Sequence, residues 1–144
     1  MTASTPAYDP DNIFVKIMRG EMSCHKVYED EHTFAFMDIM PRSDGHTLVI
    51  PKNGSRNILD ASPQDLAHLV AAAQKIAKAA MKAFNADGVS LAQFSEPAGG
   101  QVIFHTHVHI LPRYEGIDLG PTGKRGDDPR IAENARLLRE ALAA

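Results

Sequence analysis

The chain has 144 residues, 44% hydrophobic and 23% charged, which fits one globular domain with a single hydrophobic core and excludes a disordered or fibrous chain. Fifteen Lys and Arg against eighteen Asp and Glu give a net charge of -3, too little positive field to grip a nucleic-acid backbone, so no nucleic-acid partner is expected. No run reaches the roughly 20 apolar residues that span a bilayer, residues 1–10 lack the basic start and apolar centre of a signal peptide, and the single cysteine, Cys24, can form no intramolecular disulfide; a cytoplasmic location without membrane contact is expected.

In chain order, residues 1–11 carry two prolines and small polar side chains and read as a flexible N-terminal arm. Asp11 or Asn12 can cap a short helix in which Ile13, Phe14, Ile17 and Met18 fall at helical spacing before Gly20. Residues 25–29 and 33–38 are strand-like around the charged turn Asp30-Glu31-His32, and residues 47–50 form a third strand before Pro51, together an antiparallel meander. Ser62-Pro63-Gln64-Asp65 supplies a cap, a proline at the first helical position and an acid three residues after the cap. They open a long alanine-rich helix to about Phe84, whose apolar residues recur every three or four positions and so present one face to a sheet. Residues 89–95 and 101–111 are the last predicted strands, separated by a Pro- and Gly-rich turn. Residues 114–128 hold four glycines and are predicted to be a loop, and Pro129 opens a final helix, placed on the same domain or on a partner subunit.

The segment His105-Thr106-His107-Val108-His109-Ile110-Leu111 carries the chemistry. On a strand alternate side chains share a face, so three imidazoles would line one surface while Val108 and Ile110 bury the other. Three explanations compete: a metal site, an incidental polar face, and catalysis. Metal–nitrogen bonds of about 2.0–2.1 Å require converging ligands, whereas His105 and His109 would lie about 13 Å apart on an extended strand. Two adjacent members could still chelate with help from elsewhere. Neutral imidazole is a nucleophile near neutral pH, its N-phosphoryl adduct is hydrolysable, and neighbouring imidazoles can hold phosphate oxygens and move the leaving group's proton.

HTHVHIL followed by Pro112-Arg113 resembles the signature of the histidine triad (HIT) family. Segments 12–17, 26–30, 36–39 and 45–52 (NIFVKI, KVYED, FMDI, GHTLVIPK) are similar to that family's other recurring segments, in the same order. The resemblance covers residues 12–113 and is greatest to the Hint branch of nucleotide phosphoramidate hydrolases. It implies an α+β fold with a five-stranded antiparallel sheet, a long central helix, a short N-terminal helix and a C-terminal helix, in a homodimer. It also implies that His107 is a nucleophile forming a nucleotidyl-histidine on the α-phosphate of a purine nucleotide or nucleotide conjugate. By the same resemblance His109 contacts phosphate oxygens, His105 and His46 tune protonation, and Asp38 accepts the ribose hydroxyls. Ile13, Phe14, Ile17, Phe36 and Ile39 then surround the base, and Gly100, Gln101 and Val102 flank the phosphate, the glycines letting backbone amides approach it.

The chain departs from the family at three places. Phe94 stands where Asn or Gln is common, and Val102 where Ser or Thr often supplies a hydroxyl near the leaving group. Asn12 and Val15 stand where some relatives have a zinc-binding cysteine pair, so no metal and no cofactor are expected. Three functions therefore stay in play: a hydrolase acting on P–N or P–O bonds to the α-phosphate, a nucleotide-binding regulatory module with little turnover, and a dinucleoside polyphosphate hydrolase. His109 argues against the transferase branch, which has Gln at the third triad position.

Overall fold

The computed structural model describes residues 6–144. The elements follow in the order α1 (Ile13–Met18), β1 (Lys26–Glu29), β2 (Thr33–Met37), β3 (Thr47–Pro51), α2 (Pro63–Ala83), β4 (Gly88–Ala92), β5 (Val108–Arg113) and α3 (Asp128–Ala143). Each helix starts where local chemistry satisfies its free amides: Asn12 accepts from Phe14 and Val15, Ser62 from Asp65, and Asp127 from Arg130. The five strands form one antiparallel sheet in the order β1-β2-β3-β5-β4, the α+β arrangement expected from the sequence.

β2 and β3 are buried on both faces, and the two faces differ in character. Ala35, Met37, Val49, Val108 and Ile110 pack against Leu69, Ala73, Ile76 and Ala80 of α2 and Ile131, Ala135 and Leu138 of α3. The alanines of α2 let the helix lie close on the sheet, and each fully buried Ile or Leu contributes about 1.5–3 kcal/mol of apolar burial. Phe34, Phe36, Leu48 and Ile50 cover the opposite face together with Phe14 of α1. Phe36 is paired with Leu48, and Leu48 with His109, and directly opposed residues share a face. His109 therefore belongs to the aromatic α1 face, while Val108 and Ile110 face α2.

Three expectations need correction. The last strand begins at Val108, not at Gln101. Continuing the β3 register past Val49↔Val108 would set Pro51 opposite Thr106, and Pro51 has no N–H to give. Thr106 instead donates its N–H to Ser55 O at 2.9 Å, so residues 101–107 leave the sheet. β4 is correspondingly short, ending at Ala92. The N-terminal arm divides: residues 1–5 lie outside the described residues, but Tyr8 is half-buried and its ring rests on Gly54, where a Cβ would overlap it.

Residues 114–128 form a buttress. Gly120 donates to Arg42 O at 2.8 Å, Arg42 Nε returns a bond to Gly120 O at 2.9 Å, and Gly126 donates to Ile39 O at 2.9 Å. A Cβ on Gly126 would lie 2.7 Å from Pro41 Cδ, so the close approach of these two loops requires glycine there. The loop between β2 and β3 is thereby fixed from outside the sheet.

Candidate active site

His46, His105, His107 and His109 converge below α1, and their hydrogen bonds assign every ring proton. His107 Nδ1 lies 2.6 Å from the carbonyl of His105, which only accepts, so Nδ1 carries the proton and Nε2 the lone pair. His105 Nε2 likewise donates to Pro51 O at 2.9 Å, leaving its Nδ1 to accept from the Tyr8 hydroxyl at 2.8 Å. The Arg42 N–H donates to His46 Nδ1 at 3.1 Å, so His46 Nε2 holds a proton and gives it to His109 Nδ1 at 3.0 Å. His109 then presents Nε2–H as a donor. His107 and His109 meet edge to face with centroids 5.0 Å apart, and Phe14 stands edge-on to His107 at 5.1 Å.

Burial keeps these rings neutral. His107 is only 6% exposed, and loss of hydration lowers its pKa to about 4 from an ordinary value near 6.5, against the opposing pull of the His105 carbonyl. His109 is also lowered to about 4, by burial first and then by the neighbouring His46. Burial likewise lowers His46 and His105, with Asp38 opposing the shift in His46. At neutral pH the cluster thus offers a buried imidazole with a free Nε2 lone pair beside a second imidazole offering an N–H.

The remaining predicted residues divide. Phe14 and Phe36 are core, 3% exposed each, whereas Ile13 and Ile39 are each 39% exposed and free to meet a ligand; Ile17 is partly buried against the aromatic core. Asp38 is both a turn residue and a member of the cluster: Oδ1 accepts from Met40 N at 2.8 Å, and Oδ2 lies 3.4 Å from His46 Nε2. Gln101 does not reach toward a phosphate. Its Nε2 donates to the carbonyls of Arg56 and Ile103 and its Oε1 accepts from Asn57 and Glu96, so all four hydrogen-bonding positions of the amide are used. The amides of Gly99, Gly100 and Gln101 also turn inward, to Glu96 O and Pro97 O, which removes the expected backbone cradle. Gly100 is needed for its φ of 97°, and Phe94 lies over it and within 5.4 Å of the His109 ring. Val102 is 83% exposed.

Sequence reasoning missed Tyr8, the Arg42 amide, the Pro51 carbonyl and Ser55, because all act across long sequence separations or through the backbone. No local signal marks a backbone carbonyl as a histidine's partner. Two surface depressions, about 360 Å³ beside Arg113 and Tyr114 and about 350 Å³ beside Met18 and Lys52, contain none of these histidines; the chemistry of the groups marks the site.

Asp38, His46 and His109 could by spacing alone hold a metal ion, since their ligand atoms lie within 4.8 Å of one another. The hydrogen bonds oppose it. With Arg42 donating to Nδ1, His46 Nε2 must stay protonated and has no lone pair for a cation. Asn12 points Nδ2–H toward His105 Nδ1 at 3.3 Å, a donor where a ligand atom would be needed, and Val15 offers no donor atom to a metal.

Comparison with known proteins agrees with this architecture. Residues 19–116 match the HIT domain family. A Hit-like protein of Bartonella henselae described as involved in cell-cycle regulation is 51% identical, covering 94% of this chain and 99% of its own, with a TM-score of 0.88. A zinc-bound histidine triad family protein of Mycobacterium smegmatis is 38% identical over 92% of this chain and 94% of its own, with a TM-score of 0.84. The adenylylsulfatase HINT3 of Arabidopsis thaliana is 41% identical over 105 residues, 73% of this chain and 53% of its own length. With the alternating histidines, the five-stranded sheet and a family match across most of the chain in agreement, this protein belongs to the HIT domain family.

Proposed function

We propose that the protein is a nucleotide hydrolase of the Hint type, cleaving a P–N or P–O bond at the α-phosphate of a purine nucleotide conjugate through a nucleotidyl-histidine on His107. The observation that carries this reading is the buried His107 ring, whose Nδ1–H is held by the His105 carbonyl and whose Nε2 lone pair is free at neutral pH. A nucleophile needs that tautomer, and a pKa near 4 keeps it populated.

In the first step Nε2 forms a bond to phosphorus and the bond to the leaving group breaks. A leaving amine takes a proton drawn from solvent. The positive charge that develops on the imidazole is stabilised by the Nδ1–H bond to His105 O, and His109 Nε2–H donates to a phosphate oxygen. Water then attacks phosphorus and releases a proton, and the N–P bond breaks with its electron pair returning to Nε2. His46 holds the His109 tautomer, Asp38 faces the ribose hydroxyls with its remaining lone pairs, and Ile13 and Ile39 line the base. The adenylylsulfatase relative supports an adenylyl substrate. Phe94 on His109 and the exposed Val102 favour a leaving group with apolar surface.

The test compares release of adenylate from an adenosine phosphoramidate and from a diadenosine polyphosphate, for wild type and His107→Ala. Turnover of the phosphoramidate that vanishes in the variant is expected, together with a nucleotidyl-protein adduct trapped by rapid quenching. Turnover surviving in His107→Ala would sink the mechanism, and tight nucleotide binding without turnover of either substrate would replace it with the regulatory module. The reading includes a homodimer, supported by the outer edge of β4, which pairs with no strand among the described residues, and by the exposed Val70 and Leu91. Sedimentation as a monomer would remove that part.

A further inference from the structure

We propose that Tyr8 is a positioning residue for the nucleophile, acting through His105. The proposal rests on the reading of His107 as that nucleophile, and it begins from a mechanical problem. Residues 101–107 lie outside the sheet, so no strand ladder fixes the carbonyl of His105 that holds the His107 proton. Something else must hold it.

Two anchors are visible. Thr106 is tied to Ser55 through its N–H at 2.9 Å and through the paired hydroxyls at 2.6 Å. The His105 ring, fully buried, is pinned from both ends: Nε2–H to Pro51 O at 2.9 Å, and Nδ1 accepting from Tyr8 at 2.8 Å. The direction of the Tyr8 bond is fixed, because His105 carries its proton on Nε2 for Pro51 O and its Nδ1 can only accept; the same hydroxyl also accepts from Asn12 Nδ2–H at 3.0 Å. Asn12 is in turn held by α1, whose first amides its Oδ1 caps. A continuous chain of donors therefore runs from the start of α1 through Asn12, Tyr8 and His105 Nδ1, and the backbone of that same histidine accepts the proton of His107.

The aromatic ring of Tyr8 is seated on Gly54, which places its hydroxyl toward His105. Removing the hydroxyl would leave a buried imidazole nitrogen with only the 3.3 Å approach of Asn12. The His105 ring would gain freedom, and so would the carbonyl that orients His107. Tyr8 does not touch the reacting atoms in this scheme.

The test is Tyr8→Phe, which keeps the ring on Gly54, with Gly54→Ala as an independent way to push the intact tyrosine off its seat. Both are expected to lower kcat for an adenosine phosphoramidate by about tenfold or more through misplacement of the nucleophile. KM is expected to stay within about twofold, since no binding contact is lost. Imidazole NMR supplies a readout that general loosening would not give: the His107 Nδ1–H resonance, strongly deshielded by its short bond, should move upfield and broaden in both variants. An unchanged resonance overturns the proposal, whatever happens to kcat, and so does wild-type kcat in both variants. Should the wild type turn over no nucleotide conjugate, the functional reading fails on its own, and the same resonance still decides whether Tyr8 positions His107.

Discussion

His109 and His107 are two residues apart, yet they are held by different physics. His109 lies on β5 between two hydrogen-bonded neighbours, paired with Leu48 on one side and Ala92 on the other. His107 precedes the strand, and the two residues before it, His105 and Thr106, are secured by side chains reaching in from residues 8, 12 and 55. The ladder that places His109 is redundant, since every strand residue shares the load. The anchors that place His107 are few, and each is a separate point of failure. A site built this way can change the setting of His107 without remodelling the sheet.

The largest effect expected is from His107→Ala, which should reduce adenylate release by roughly 10³-fold or more if the ring is the nucleophile, while His109→Ala retains measurable turnover. Equal losses in the two variants would erase the distinction between them. Ile110→Ala attacks the strand-held half. The side chain is fully buried on the α2 face, so truncation should cost about 2–5 kcal/mol in urea unfolding, with kcat preserved wherever the protein stays folded.

Acid should act on both halves together. Because burial lowers the histidines, the unfolded chain binds protons first as pH falls below about 6.5, and stability is lost progressively down to about 4, where His107 and His109 charge in the folded state. Above 6.5 these rings are neutral in both states and add no pH dependence. Asp30 is held down to about 2 by hydrogen bonds that outweigh the upward push of burial, and Glu29 and Glu96 are lowered from 4.5, so those carboxylates lose their stabilising contribution only from the acid end of this window downward. Unfolding midpoints from pH 7 to 4 should therefore fall, and fall less in a His107→Ala, His109→Ala double variant; parallel curves would refute the assignment. The acid limb of kcat/KM should also lie near 4, since protonation of Nε2 abolishes the nucleophile.

Thr106→Val is the smallest perturbation and the sharpest for the comparison. It deletes one hydroxyl from the buried Ser55–Thr106 pair, with an expected loss of about 1–3 kcal/mol. Its effect on kcat should exceed that of the more destabilising Ile110→Ala at the same folded fraction. The reverse order would show that the sheet, not the anchors, sets His107.

The parts of the protein readable from its sequence are those decided locally. Ser62-Pro63 starts α2, Asn12 caps α1, and the apolar runs of β2 and β3 mark buried strands, because caps and side-chain periodicity depend on residues a few positions apart. The alternating histidines are legible for the same reason and carry the family with them. What only the tertiary structure decided is where that pattern stops being a strand and which nitrogen of each ring bears a proton. The missing N–H of Pro51 and the Ser55 carbonyl decide the first, and the carbonyls of Pro51 and His105, the Tyr8 hydroxyl and the Arg42 amide decide the second; Pro51 and Tyr8 lie 54 and 97 residues away from His105. Alternation places three histidines on one face of an imagined strand; the hydrogen bonds divide them into a braced ring, a free lone pair and an N–H donor, and no local pattern could make that division.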